Sequence, residues 1–272
     1  TGRSPEGYFG NGLLPGRRCR LVCVPTTSGT GSEVSPNAIL LDERDRLKKG
    51  VISPWLVPDA AFVDPALTLS VPPAVTAYTG LDALTHCLEA FANRRAHVCV
   101  DLIASEGIRL ISSNLVRSVT QGEDLDARSA VALGSLYGGL CLGPVNTAAV
   151  HALAYPLGGE YGLPHGLANA LLLPHVMRFN LAADPARYAV VARLLGVDPA
   201  GRTDEIVAAE GADRLSSLVR ACGLPEGLRA CGISSNAIPG LARAAMKVSR
   251  LLVNNPRDLA QPDAEAIYRA AY

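Results

Sequence analysis

The sequence has few aromatic residues, no excess of charge of either sign and no long hydrophobic run. Only 5% of its 272 residues are aromatic, although 49% are hydrophobic. The core must therefore consist mainly of Ala, Leu and Val, which lets helices pack closely and indicates a helix-rich globular protein. The 25 basic and 25 acidic side chains cancel. This balance argues against nucleic acid or a membrane as a partner and favours small molecules or further copies of the chain.

The sequence also lacks paired cysteines and a targeting segment. Its seven cysteines are an odd number and form no Cys-x-x-Cys pair, so we interpret them as reduced core thiols of a cytoplasmic protein. No basic segment followed by an apolar one opens the chain, and no apolar run reaches the roughly 20 residues that a membrane span requires. The chain opens on Thr1, which predicts that residue 1 is not the native start.

The pattern of the sequence changes near residue 70. Residues 1–18 are rich in Gly, Pro and Arg and predict a connecting segment, and short apolar runs then predict strands at 19–25, 34–41 and 60–64. Beyond residue 70, apolar residues recur at spacings of three and four, which is typical of helices. The predicted helices are 73–92, 98–118, 125–142, 146–157, 165–179, 183–195, 203–221, 235–249 and 263–271. We therefore expect two unequal domains, 1–70 and 71–272.

A loop rich in glycine and hydroxyl groups follows the first predicted strand. It has the sequence Pro25-Thr-Thr-Ser-Gly-Thr-Gly-Ser-Glu33, in which glycines allow close approach of a ligand and amides and hydroxyls can donate to phosphate or ribose oxygens. It is neither a Walker loop nor a Gly-x-Gly-x-x-Gly fingerprint, and alone it is more often a plain turn. Lys48 can reach a nucleotide phosphate, although by itself the Lys48-Lys49 pair is more often solvated.

Three of the five histidines lie in segments that suit a metal ion. Asp82 and His86, four residues apart on a predicted helix, share one face, and His151 and His165 follow fourteen positions apart. Singly, each has a more ordinary explanation, such as a helix-face pair, a core histidine or a turn residue. Together, one carboxylate and three imidazoles suit Fe(II) or Zn(II). Of the two other histidines, His97 is predicted to be exposed and His175 to lie in the core.

These segments resemble the iron-containing (group III) alcohol dehydrogenases. The resemblance runs from about residue 19 to the end of the chain. It implies an α/β remnant of a dinucleotide-binding domain followed by an all-α metal-binding domain, the dehydroquinate synthase-like fold, with the active site in the cleft between them. The matching segments are Pro25-Thr-Thr-Ser-Gly-Thr-Gly-Ser-Glu-Val34, Gly80-Leu-Asp-Ala-Leu-Thr-His86, Val150-His-Ala-Leu-Ala-Tyr-Pro-Leu-Gly158, Leu163-Pro-His-Gly-Leu-Ala-Asn-Ala170, Asn254-Asn-Pro-Arg257 and Ile267-Tyr-Arg-Ala-Ala-Tyr272.

The resemblance also implies an activity and the residues that serve it. The activity is hydride transfer between an alcohol and a nicotinamide cofactor, NAD or NADP, with the metal ion as Lewis acid, and the reverse reaction reduces an aldehyde or ketone. A homo-oligomer is expected. The implied ligands of Fe²⁺ or Zn²⁺ are Asp82, His86, His151 and His165. The residues that match the cofactor contacts of the family are Thr26, Thr27, Ser35 and Lys48.

The chain departs from the family pattern in two places. Residues 1–18 hold no Gly-Gly-Gly-Ser-type segment, which in the family binds the cofactor pyrophosphate, so the chain is expected to lack most of its nucleotide domain. Tyr155 stands where many relatives carry a histidine suspected of proton transfer, and a phenol with a pKa of about 10 is a poorer acid or base at neutral pH than imidazole. Two alternatives stay open: a catalytically incomplete, metal-binding fragment, and a related enzyme such as a glycerol dehydrogenase or a phosphate-eliminating cyclase.

Overall fold

The computed structural model describes residues 4–44 and 47–272, with only the backbone of Leu47. The described strands all lie before residue 62. Three of them form one sheet in the order β1-β4-β3, in which β1 runs parallel and β3 antiparallel to β4, and the other two form a parallel pair. The strands are β1 (Gly10–Asn11), β2 (Val22–Cys23), β3 (Asn37–Asp42), β4 (Leu47–Ile52) and β5 (Ala60–Ala61).

The strand predictions are correct in place but not in extent. The strands predicted at 19–25 and 60–64 shrink to two residues each, and the strand predicted at 34–41 begins only at Asn37, because the 3-10 turn Ser32–Val34 comes first. The strand β4 was not predicted, since its two lysines and a glycine have low strand propensity and its pairing with β3 and β1 stabilises it. The segment 1–18 is also more than a connection, because β1 pairs with β4.

The rest of the described chain is helical, as predicted, and most helix ends agree to within a few residues. The helix predicted at 235–249 is divided into a 3-10 turn and two shorter helices. The one predicted to end at 157 extends to Tyr161, with Pro156 inside it. The helices are α1 (Pro73–Phe91), α2 (Val98–Thr120), α3 (Leu125–Leu142), α4 (Ala149–Tyr161), α5 (His165–Asn180), α6 (Pro185–Leu194), α7 (Asp204–Ala221), α8 (Ile238–Met246), α9 (Ser249–Leu252) and α10 (Gln261–Ala270).

The central helix of the domain is α1, which packs against α2, α3 and α5. From Gly80 to Phe91 every residue of α1 is buried, as expected for a helix enclosed by others. This buried stretch nevertheless contains Asp82, His86 and Glu89. Because a buried charge or polar group is costly unless it is paired or binds an ion, these three side chains require partners inside the domain.

The hydroxyl-rich loop, residues 25–33, is held directly against α3. Gly31 has a left-handed backbone (φ 61°), and a Cβ atom there would lie only 2.3 Å from the Cα of Gly139. Only glycine combines this backbone conformation with so close an approach. The two glycines therefore fix the loop against the helical domain and set the position of its hydroxyl groups.

The seven cysteines are free, but the prediction that all are core thiols is wrong. Burial holds for Cys87, Cys141 and Cys222, whereas Cys19 and Cys99 are exposed and the other two are half-buried. The exposed ones lie just before β2 and in the first turn of α2. Within residues 4–44 and 47–272, none of the helices has both the length and the apolar character to cross a membrane.

Candidate metal centre

The structure brings the four predicted ligands together. Asp82 and His86 come from α1, His151 from the first turn of α4 and His165 from the start of α5. The Oδ1 atom of Asp82 lies 3.5 Å from Nε2 of His151, 3.7 Å from Nε2 of His165 and 3.8 Å from Nε2 of His86. A tetrahedral ion with bonds of about 2.0–2.1 Å spaces its ligands by about 3.4 Å. Asp82, His86 and His151 offer ligand atoms that all lie within 4.8 Å of one another, a spacing that suits one divalent ion, and His165 lies beside the same carboxylate oxygen.

The protonation states of these groups also suit a metal. Burial opposes the ionisation of Asp82, but the surrounding imidazoles of His86, His165 and His151 hold the pKa of its carboxyl well below the usual range. Burial lowers the pKa of His86, and it lowers that of His165 to about 3. For Asp82, His86 and His165, a carboxylate beside neutral imidazoles is the state in which these side chains bind metal ions.

Glu89 lies directly behind His151. Its Oε2 atom is 2.6 Å from Nδ1 of His151, and its Oε1 accepts a hydrogen bond of 2.6 Å from the backbone N–H of Val150. Although burial disfavours the imidazolium, Glu89 and Asp82 raise the pKa of His151 to about 9. Without metal the ring is therefore an imidazolium at neutral pH, and metal binding would release the proton of Nε2, on the Asp82 side, while Glu89 holds the one on Nδ1.

Asn169 orients the carboxylate of Asp82. Its Nδ2 donates a 2.6 Å hydrogen bond to Oδ1 of Asp82 and lies 3.2 Å from Nε2 of His151. Its own Oδ1 is buried and has no hydrogen-bond partner among the described residues. An unpaired buried acceptor costs free energy. The hydrogen bond to Asp82 is therefore made although it leaves the amide oxygen of Asn169 without a partner.

Neither Glu89 nor Asn169 was predicted from the sequence, although helix spacing carried a signal for each. Glu89 follows Asp82 by seven residues and His86 by three, which places all three on one face of α1. Asn169 follows His165 by four residues on α5 in the same way. Extending the ligand positions by one helical turn would have identified both.

The four residues open into a cavity of about 440 Å³. Of the predicted cofactor contacts, Ser35 and Lys48 line it, whereas Thr26 is exposed and Thr27 lines a separate small cleft with Glu33. The packing of β4 against α4 half-buries Lys48, so the interpretation of the lysine pair as simply solvated is wrong for this residue. Burial lowers the pKa of Lys48, and Asp82 opposes that shift.

Tyr155 lies one turn after His151 on α4 and also lines the cavity. Its ring centroid is 6.0 Å from that of His165, and its hydroxyl accepts a hydrogen bond of 3.0 Å from Nη2 of Arg250. Burial raises the pKa of Tyr155 against the opposing effect of Arg250. The phenol therefore keeps its proton at neutral pH and acts as a hydrogen-bond donor. Sequence analysis did not single out Arg250.

The two remaining histidines lie outside the cluster. His97 is exposed, as predicted. The prediction that His175 lies in the core is wrong: it is half-buried, because its side of α5 opens into a surface groove that Ser216 and Tyr272 also line.

Close contact between α5 and α1 brings His165 beside Asp82. A Cβ atom at Gly166 would lie 2.0 Å from the backbone oxygen of Tyr78. We expect Gly166→Ala to lower the free energy of unfolding by about 1–3 kcal/mol, as overpacking of a core typically does, measured by urea denaturation. The matched control is Gly143→Ala, whose added Cβ would meet only Pro36, at 3.8 Å. Equal denaturation midpoints for the two variants would contradict the contact.

Comparison with known proteins gives consistent matches along the chain. The model of the Fe-containing alcohol dehydrogenase family, C-terminal, matches residues 76–272, and that of iron-containing alcohol dehydrogenase matches residues 4–65. The second match extends the similarity nearer to the start of the chain than residue 19, where the sequence resemblance was expected to begin.

Individual relatives agree with the family models. The 1,3-propanediol dehydrogenase of Klebsiella pneumoniae is 38% identical over 93% of this chain, and long-chain-alcohol dehydrogenase 1 of Geobacillus thermodenitrificans is 40% identical over 92%. The chain spans 65% and 63% of the lengths of these two relatives. The structure of an alcohol dehydrogenase from Oenococcus oeni superposes with a TM-score of 0.96 at 32% identity, covering 100% of this chain and 71% of that one. The chain belongs to the iron-containing alcohol dehydrogenase family.

Proposed function

We propose that the protein is a metal-dependent alcohol dehydrogenase that transfers hydride between an alcohol and a nicotinamide cofactor, and that in reverse it reduces an aldehyde or ketone. One observation supports this proposal: Asp82, His86 and His151 offer ligand atoms within 4.8 Å of one another, with His165 beside the same carboxylate, at a cavity that a hydroxyl-rich loop and the half-buried Lys48 also line. Metal, donors for a cofactor and space for a small substrate are thus available in one place.

The metal ligands in this proposal are Asp82, His86, His151 and His165, and the ion is Fe²⁺ or Zn²⁺. When bound, the ion supplies Lewis acidity toward the oxygen of the substrate. The chain supplies the geometry. Glu89 fixes the ring of His151 through Nδ1, and Asn169 holds the carboxylate of Asp82. His165 is the most exposed of the four and faces the cavity.

The cofactor, NAD or NADP, would lie along the loop and β4. Ser35 and Lys48 line the cavity, where a hydroxyl and an ammonium group suit ribose and phosphate oxygens. Thr26 and Thr27, earlier in the same loop, are proposed to contact parts of the cofactor farther from the metal. Tyr155 is proposed to hold a proton at its hydroxyl near the substrate oxygen, since the phenol lies beside His165 and stays protonated at neutral pH.

The surroundings of the protein are part of the same proposal. Its partners are small alcohols or aldehydes and further copies of itself, with neither nucleic acid nor membrane, in keeping with a net charge of zero. A cytoplasmic location is supported by seven free cysteines, because thiols stay reduced in that compartment.

Metal analysis combined with a reduction assay tests the proposed function. We expect about one iron or zinc ion per chain, and oxidation of NADH or NADPH, followed by absorbance, that depends on an added aldehyde such as butanal. Chelation of the metal should stop the reaction, and adding Fe²⁺ or Zn²⁺ should restore it. Full turnover after chelation would contradict the proposal, whereas bound metal without turnover would favour a catalytically incomplete fragment.

A further inference from the structure

Arg250 places a positive charge without an acidic partner in the wall of the cavity. It belongs to α9, and its half-buried side chain lines the same cavity as the four ligand residues. Of the 16 arginines beyond residue 70, eight pair with a carboxylate, as Arg187 does with Asp101, and Arg250 is among the eight that do not. Among the described residues no carboxylate lies within ion-pair distance of Arg250. A partly buried guanidinium left in this state is suited to a ligand that carries negative charge.

The hydrogen bonds of Arg250 strengthen this conclusion. Its Nη2 donates to the hydroxyl oxygen of Tyr155, so the oxygen of Tyr155 is the acceptor and the proton of the phenol is left for another group. The remaining N–H groups of the guanidinium have no acceptor in the described part of the chain. Arg250 and Tyr155 together therefore present donors to the cavity, which matches an anionic acceptor.

Arg250 and the metal ligands line the same cavity, where they are available to bind the two ends of one short molecule. The ring of Tyr155 is close to both, with its centroid 6.0 Å from that of His165 and 5.9 Å from Cζ of Arg250. Apolar side chains of Ile39, Leu41 and Leu142 line the same cavity. The cavity thus combines a centre for an oxygen atom, an apolar wall and a cation.

We propose that the substrate is a short-chain alcohol or aldehyde that carries an anionic group at its far end, a carboxylate or sulfonate, and that Arg250 binds this group. The inference rests on the proposed function, since it takes the metal centre as the site of the alcohol or carbonyl oxygen. Arg250 is then a specificity-determining residue. Its planar fork can donate two parallel hydrogen bonds to such an anion.

A pair of aldehydes of equal chain length tests the preference. With the full chain loaded with metal, kcat/KM is measured for succinic semialdehyde and for butanal, and their ratio is compared between variants. We expect the wild type to favour succinic semialdehyde and Arg250→Gln to lower the ratio about 10- to 100-fold, the usual effect of removing a hydrogen bond to a charged group. Arg250→Lys should retain part of the preference. Arg243→Gln, an exposed arginine on α8, is the control and should leave the ratio unchanged.

Binding of succinate gives a second readout that needs no cofactor or turnover. By isothermal titration calorimetry of the metal-loaded chain, we expect Arg250→Gln to bind succinate at least about 10-fold more weakly than the wild type, with Arg243→Gln equal to the wild type. Unchanged succinate affinity together with an unchanged aldehyde ratio would overturn the proposal. An increase in KM for NADH alone would also overturn it and would assign Arg250 to the cofactor.

Failure of the proposed function gives a different result. If the wild type reduces neither aldehyde, the dehydrogenase assignment fails, and the succinate titration alone decides whether Arg250 binds an anion. If butanal is reduced as well as succinic semialdehyde and Arg250→Gln changes nothing, the dehydrogenase assignment holds and the anionic substrate is rejected.

Discussion

Replacing His151 with Ala is expected to abolish the binding of metal. His151 has the shortest separation from Asp82 Oδ1 of the three imidazoles, at 3.5 Å, and it is the one whose ring is fixed by a carboxylate, Glu89. The variant loses a ligand and also leaves Glu89 buried without its main partner, which disfavours the folded site further. We expect metal affinity to fall by more than the 10- to 100-fold typical of outer-shell changes, with metal content near zero after dialysis and no turnover.

The control for this experiment is His97→Ala. His97 is exposed and lies at the start of α2, so its removal should leave metal content and activity at the wild-type level. Circular dichroism separates loss of metal from loss of fold, because His151→Ala should keep its helical signal and resemble the chelated wild type. A His151→Ala protein with full metal and full turnover would show that the four-ligand assignment is wrong.

Much of the fold could be predicted because the helices carry their own signals. The periodicity from Pro73 onward gave α1 and α2 nearly to the residue, and the Asp82–His86 spacing placed two groups on one buried face. The pattern near the start of the chain was weaker, since β4 contains Lys48, Lys49 and Gly50 and depends on its pairing with β3. Local propensity is informative for helices and much less so for a strand that tertiary pairing stabilises.

The candidate site was predictable only in part for a similar reason. The four predicted ligands lie together. Nothing in the sequence between His151 and His165, however, requires the start of α5 to lie beside the first turn of α4. That geometry depends on Gly166, which allows the backbone of α5 to contact that of α1. Arg250 lies 95 positions from Tyr155 in sequence, and no local pattern connects two residues that meet only through packing of α9 beside α4.

Replacing Glu89 with Gln is expected to weaken metal binding while the protein stays folded. The carboxylate of Glu89 accepts from the backbone N–H of Val150 and from Nδ1 of His151 at 2.6 Å each. Gln has the same shape but one oxygen, so it can keep one of these bonds and must turn its amide N–H₂ toward the other. Either orientation loosens the tautomer and the ring angle of His151. Partners of this kind typically contribute 10- to 100-fold to metal affinity, and we expect a loss of that size.

Competition with a chromogenic chelator measures this loss, and Glu160→Gln is the matched control. Glu160 lies on the same helix as His151 but is exposed, so its change should leave metal affinity unaltered. If Glu89 only filled space, its near-isosteric replacement by Gln would leave the affinity within about twofold of the wild type, because a shape-conserving change in a core costs little. If Glu89 fixes the ring of His151, metal affinity falls in Glu89→Gln but not in Glu160→Gln. In that case Glu89→Gln changes the free energy of unfolding of the metal-free protein less than that of the metal-bound protein. The difference between those two unfolding free energies, compared with Glu160→Gln, decides between packing and orientation, since a ligand stabilises the folded state by its affinity.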